Sequence, residues 1–214
     1  MKKIAVAILA LAALAFAGPA SAQLRVDVTQ GNIQPLPIAI PDFIGDPQGA
    51  QIAGVVRADL DRSGLFRPLD PKSFVDQVKD INTVPNFANW RVINAQALVT
   101  GQVQAQPDGR LRLDFRLWDV ASGSQMVGLQ YYTTPDNWRR IAHMVSDAIY
   151  QRITGEKGYF DTRIVFIAES GPATNRKKRL AVMDEDGANP KFLTSGSYMV
   201  LTPRFNPTAQ MIAY

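Results

Sequence analysis

A chain of 214 residues, 46% hydrophobic and 20% charged, has the make-up of a folded globular protein and is long enough for one domain and part of a second. It has no cysteine, which excludes a disulfide framework, thiolate metal sites, a cysteine nucleophile and a lipid-modified N-terminal cysteine. Its net charge of +4 falls to +2 once Lys2 and Lys3 are set aside, too weak for a nucleic-acid footprint.

In chain order, "MKK" is a basic start and Ile4 to Ala17 is an unbroken apolar run. "GPASAQ" then places Ala20 and Ala22 in the small-residue positions of a cleavage site, which predicts a signal peptide over residues 1–22 and a mature N-terminus at Gln23. The run is short for a bilayer-spanning helix; a permanent N-terminal anchor is the alternative. Export without cysteine points to a bacterial periplasm.

Residues 23–157 mix helix and strand signals and are expected to form an α/β domain. "LRVDVT" alternates Leu24, Val26 and Val28 with Arg25, Asp27 and Thr29, as a half-buried strand does. "PLPIAIPDF" holds a second, buried strand. "GDPQGAQIAGVVRADLDRSG" predicts a helix: Asp46 caps, Pro47 opens, Ile52, Val55, Val56 and Leu60 share a stripe, and Gly64 ends it. "LDPKSFVDQV" repeats the Asp-Pro start and predicts a short helix; "PNFANWRVINAQ" predicts a third. "ALVTGQVQA" turns at "QPDG" into "RLRLDFRLW", with Leu111, Leu113, Phe115 and Leu117 inward and Arg110, Arg112, Asp114 and Arg116 outward. "VASGSQ" turns into "MVGLQYYT", completing a three-stranded antiparallel meander. A closing helix is capped by Thr134, opened by Pro135, and buries Ile141, Val145, Ala148, Ile149 and Ile153. The expectation is a mixed sheet with flanking helices.

From Gly158 to Tyr214 the helical period disappears. "RIVFIA" is apolar at consecutive positions, so both its faces are expected to be covered, and "RLAVMD", "PKFLT" and "VLTPRF" follow at short spacing. Radially stacked sheets bury small strands in this way, as would the edge of a β-sandwich. "RKKR", Arg176 to Arg179, is expected to be a solvated loop.

The ordered set "RIVFIAES…RLAVMDEDGANPKFLTSG…LTPRFNPTAQMIAY" resembles one repeat of the TolB family of β-propeller proteins, and "PIAIPDF", "IAGVVRADLDRSGLFRPLD", "ALVTGQV" and "ITGEKGYFDTRIVFIAE" resemble the N-terminal domain of that family. The resemblance implies a six-bladed propeller of which residues 158–214 hold the first blade and the start of the second. The chain then reads as an incomplete N-terminal piece. Residues 163 to 194 would be the outer three strands of the first blade. "NPTAQ" stands where the repeat has an Asp-Gly turn, which is expected to weaken that hairpin.

The same resemblance implies a non-catalytic periplasmic adaptor of the Tol-Pal system, with a role in envelope integrity and in outer-membrane invagination at division. Its partners would be the C-terminal domain of TolA and the peptidoglycan-associated lipoprotein Pal, through which it would be peripheral to the outer membrane; the Pal site is expected mostly on propeller blades outside residues 158–214, and no residue here is assigned to it. The segment after the signal peptide would bind TolA. An alternating strand on a flexible "QGNIQ" tether can add to the edge of a partner sheet. Gln23, Leu24, Arg25, Val26, Asp27, Val28 and Thr29 are therefore the candidate site, with Leu24, Val26 and Val28 as anchors. A permanently paired edge strand is the other reading of that segment.

The N-terminal part of a secreted, propeller-bearing peptidase is the rival class, but there is no G-x-S-x-G motif. The one histidine, His143, is expected on the exposed side of its helix. No cofactor and no metal ligand set is expected. "DEDG", Asp184 to Gly187, is expected to be a turn, because a calcium loop opening at Asp184 needs Glu where Ser195 stands. Asp59 and Asp61 are expected to pair with nearby arginines, and Trp90, Trp118 and Trp138 to be structural.

Overall fold

The computed structural model of the chain describes residues 34–214. The predicted signal peptide, its cleavage residues Ala20, Ala22 and Gln23, and the predicted strand Gln23–Thr29 lie outside the described residues.

A βαβ unit opens the fold. Strand β1 (Leu36–Ala39) is buried along its whole length, and a two-residue strand β2 (Ile44–Gly45) follows. Helix α1 (Gln48–Arg62) then leads to β3 (Phe66–Pro68), which lies parallel to β1. The expected start of α1 forms: Asp46 Oδ1 accepts from the Gln48 N–H at 2.9 Å, satisfying one of the free first-turn donors. Gly64, at φ 72°, ends it. The meander is β4 (Ala97–Ala105), β5 (Leu111–Asp119) and β6 (Gln125–Thr133), and β1 joins it parallel to β4. The sheet order is β3-β1-β4-β5-β6, with β2 paired to β4. This is the expected mixed sheet.

Alternation divides two cores. Ile38, Val99 and Leu117 belong to one apolar cluster, while their neighbours Ala39, Leu98 and Trp118 belong to another, as the period of two in a strand requires. On the first face lie α1 and the long helix α3 (Trp138–Thr154), with Ile52, Val56 and Leu60 facing Ile141, Val145, Ile149 and Ile153 in one core. On the second face, helix α2 (Phe87–Val92) covers one end of the sheet through Trp90 and Phe87. Trp118 is buried there and donates from Nε1 to Thr100 Oγ1 at 3.1 Å.

Two helix expectations change. "LDPKSFVDQV" makes only a 3-10 turn, Pro71–Ser73, started by the Asp70 carboxylate accepting from the Lys72 N–H. Phe74 is extended and sets its ring edge-on to Trp90 at 5.3 Å, a tertiary contact that a continued helix would forgo. Thr134 makes no capping bond; Pro135–Asn137 form a 3-10 turn ahead of α3, and Gly155 closes α3 at φ 84°.

Beyond α3 come β7 (Arg163–Ser170), β8 (Lys177–Asp184) and β9 (Lys191–Phe192) in one antiparallel sheet, then β10 (Arg204–Phe205) and β11 (Ile212–Ala213) in another. These are the opening strands of the expected propeller. β7 is half-exposed rather than covered on both faces. Such cover needs a sheet on each side, and among the described residues the one other sheet after β9 is the two-stranded β10–β11 pair. "RKKR" is not a loop: Lys177, Lys178 and Arg179 begin β8 opposite Ser170, Glu169 and Ala168. Arg176 and Lys178 both reach the Glu169 carboxylate. The "NPTAQ" turn is held by Asn206, whose Oδ1 accepts from the N–H groups of Thr208 and Ala209 at 2.9 and 3.0 Å. The side chain thus supplies what an Asp-Gly turn would supply through backbone conformation.

Candidate functional site

The densest polar chemistry in the described residues lies where α1 and α3 meet the turn after β8. Asp59 sits on the α1 stripe between Val56 and Leu60 and is 0% exposed. Three donors converge on it. Arg62 Nη2 reaches Oδ1 at 2.8 Å, while His143 Nδ1 and Ser146 Oγ both lie 2.8 Å from Oδ2. A buried carboxylate is tolerable only when its oxygens are satisfied in this way.

His143 is therefore buried, at 2% exposure, and not on the outer side of its helix as expected. Its face of α3, shared with Ala142 and Ser146, turns toward α1, where Asp59 meets the imidazole. Burial by itself would lower the His143 pKa, but the hydrogen bond and charge of Asp59, with the charge of Asp186, outweigh it and raise the group above its ordinary value. Nε2 makes no hydrogen bond and lies 4.0 Å from Asp186 Oδ2.

The turn after β8 brings the remaining charges. "DEDG" is the expected turn, closed by the Gly187 N–H donating to the Asp184 carbonyl at 3.0 Å, with Gly187 at φ 85°. Asp186 is paired with Arg139 of α3. Burial pushes the Asp186 carboxyl up, and the Ala188 N–H together with Arg139 brings it below its ordinary value. Glu185 pairs with Arg62 at 3.3 Å; burial holds its carboxyl above the usual value despite that arginine.

The crossing from α3 to β7 is anchored just as firmly. Asp147 accepts from the N–H groups of Phe160 and Asp161 at 2.8 and 3.1 Å. Phe160 is wholly buried, with the rings of Tyr150 and Tyr159 against it. Beside this crossing a polar cavity of about 420 Å³ opens, bordered by Arg139, His143, Asp161, Asp184 and Lys191.

Ser146, Asp59 and His143 are the residue types of a hydrolytic triad in the wrong order. The carboxylate stands between the hydroxyl and the imidazole, and Ser146 donates to Asp59 and to the Ala142 carbonyl. No base takes the serine proton, so the constellation does not make a nucleophile. What it does is tie two helices to the first strands that follow them.

The sequence anticipates the Asp59–Arg62 pair; Asp61 is exposed. It misses the link to His143, Ser146 and Asp186, which lie 84, 87 and 127 residues from Asp59. The one available signal is a carboxylate at position 59 inside the apolar stripe of 52, 55, 56 and 60. The expected partner segment, Gln23 to Thr29, is outside the described residues, so nothing here brings it to this cluster. Trp90 and Trp118 are structural, as expected, and Trp138 is packed against the main core.

Comparison with known proteins gives two family matches in chain order. Residues 24–126 match the TolB amino-terminal domain, and residues 150–214 match the TolB β-propeller domain. The chain is similar to the crystal structure of TolB from Acinetobacter baumannii, with 31% identity and a TM-score of 0.74 over 90% of this chain. It spans 46% of the length of that protein. A weaker likeness is to the LpoB C-terminal domain from Salmonella enterica, at 13% identity and a TM-score of 0.37, covering 49% of this chain and 87% of that one. The chain belongs to the TolB family, carrying its amino-terminal domain and the first strands of its β-propeller.

Proposed function

We propose that this chain serves as a periplasmic, non-catalytic adaptor of the Tol-Pal system, linking the C-terminal domain of TolA to the lipoprotein Pal. The observation that carries the reading is the pair of TolB family matches, in order, over most of the chain. The family is a periplasmic, non-enzymatic one related to Tol-Pal, and among the described residues no helix is long and apolar enough to cross a membrane.

In this reading Gln23 to Thr29 engages TolA by adding a strand to the edge of its sheet, where backbone hydrogen bonds supply affinity and Leu24, Val26 and Val28 supply anchors. The TolB amino-terminal match begins at residue 24, so all of this segment but Gln23 falls within it. Residues 1–22 serve as the export signal, residues 23–157 form the adaptor's first domain, and residues 158–214 open its propeller, on which Pal docks. The buried junction of Asp59, His143 and Asp186 supports the adaptor role by fixing the first domain to the propeller strands. Two partners held on separate domains would then be linked through that junction.

A co-purification experiment tests this. The intact protein is passed over immobilised TolA C-terminal domain and over immobilised Pal in separate columns. Retention on both is the expected result; passage through both columns, with any hydrolysis of a peptide library, contradicts the adaptor reading.

A further inference from the structure

The polar cluster holds one atom that the adaptor role does not use, His143 Nε2. The residue is 2% exposed, and this nitrogen makes no hydrogen bond, although its ring borders the cavity beside the α3–β7 crossing. A buried ring nitrogen without a partner ordinarily costs stability, so its retention calls for something to face it. Two carboxylates do. One ligand atom each from His143, Asp184 and Asp186 lies within 4.8 Å of the others, and Nε2 is 4.0 Å from Asp186 Oδ2.

From this geometry we propose that His143, Asp184 and Asp186 form a binding site for one divalent transition-metal cation of the zinc class. The donor set is one imidazole and two carboxylates, which leaves a fourth position for water. Zinc bonds of about 2.1 Å put neighbouring tetrahedral ligand atoms about 3.4 Å apart. The His143–Asp186 gap of 4.0 Å therefore needs to close by about 0.6 Å, and the widest pair, within 4.8 Å, by up to about 1.4 Å.

The surroundings are those such a site requires. Asp59 Oδ2 accepts a hydrogen bond from His143 Nδ1–H at 2.8 Å, which fixes the tautomer with the lone pair on Nε2 and aims it at the cation. Asp59 is itself held by Arg62 and Ser146, so the imidazole cannot swing away. Asn189 Nδ2 donates to Asp184 Oδ2 at 2.6 Å, and the Ala188 N–H donates to Asp186 Oδ1 at 3.0 Å. Each ligand is thus oriented by a second group, and Asp186 Oδ2 stays directed to the cluster.

Arg139 is the competitor. Its guanidinium pairs with Asp186 Oδ2, the oxygen nearest Nε2, and neutralises it when no metal is bound. Its own Nε is buried without a partner, so Arg139 is not locked in that place by a full set of bonds. A cation would displace it toward the cavity and replace a charge pair by a bond that clamps the turn after β8 onto α3. The sequence could not show this site, because its histidine lies 41 residues from the first of its carboxylates.

The test uses the intact protein without an affinity tag, stripped with chelator and dialysed against zinc, with bound metal counted by atomic spectroscopy. One zinc per chain is expected, with a rise in melting temperature. Cobalt(II) should give the visible absorption of a four-coordinate site and be displaced by zinc. Asp184→Asn changes a half-exposed ligand outside the buried network, and should weaken zinc binding by more than about tenfold while leaving the metal-free melting curve in place. Arg139→Gln removes the competitor and should tighten binding. Absence of stoichiometric uptake, or uptake indifferent to both Asp184→Asn and Arg139→Gln, overturns the proposal.

Discussion

Replacing Asp59 by alanine tests whether the junction is built as described. The substitution removes the shared acceptor of Arg62, His143 and Ser146. Arg62 is half-exposed and regains water at little cost, whereas His143 and Ser146 are buried and are left facing an apolar methyl. A buried donor without a partner costs about 1–3 kcal/mol. Removing one member of a buried charged pair costs about 3–5 kcal/mol. These two figures describe overlapping losses, so the expected destabilisation is about 3–5 kcal/mol, and for a chain of this size the melting temperature falls by about 10 °C. Asp59→Asn keeps the shape and one acceptor oxygen, and should cost about 2 kcal/mol. Ser146→Ala removes a single donor and should cost about 1 kcal/mol. Urea unfolding followed by tryptophan fluorescence measures all three variants. An Asp59→Ala protein no less stable than Ser146→Ala would refute the assignment of this carboxylate as the organising group.

Two glycines should respond oppositely to alanine. At Gly54, inside α1, an added Cβ meets nothing closer than Arg57 Nη2 at 3.9 Å, so Gly54→Ala should stabilise by about 0.5–1 kcal/mol. At Gly158 the same Cβ would lie 2.5 Å from Asp147 Cα, so Gly158→Ala should destabilise by about 1–3 kcal/mol; urea midpoints of the pair check both signs. Thr100→Val takes away the acceptor of the buried Trp118 indole and should cost about 1–3 kcal/mol, read from the same unfolding curves. Asp147 gives a pH signature. Burial raises its carboxyl above the ordinary 3.8, against the pull of the Phe160 and Asp161 N–H groups. A raised carboxylate favours the protonated folded state, so its contribution is greatest below 3.8 and is lost as pH climbs through the folded-state value. The stability of Asp147→Asn relative to the native protein should therefore improve as pH rises across that window, and a difference independent of pH contradicts the assignment.

Periodic local signals are what the sequence carries well. The alternation of Leu111, Leu113, Phe115 and Leu117 places them inward on β5, and the apolar stripe of α1 faces the core as its spacing requires. Local signals fail where a distant contact competes. The Asp-Pro start at Asp70 promises a helix, but Phe74 finds Trp90 and the chain extends. The basic run at Arg176 reads as a solvated loop; Arg176 is exposed as expected, but Lys177 to Arg179 pair with the neighbouring strand and extend. His143 shows the same limit at the candidate site. An imidazole two positions from Ile141 looks exposed by stripe alone, because the stripe counts only apolar residues and α1 answers this face with a carboxylate. Polar complementarity between two helices leaves no period in either one. Asp59, intruding on its own apolar stripe, was the legible half of that pair.

The central claim, that this chain is an adaptor whose first mature residues engage TolA, is tested most directly by calorimetric titration of the TolA C-terminal domain into the intact protein and into a form lacking Gln23 to Thr29. The account predicts saturable binding to the intact protein, none to the shortened one, and unchanged Pal binding by both. Equal TolA affinity with and without the segment would contradict it.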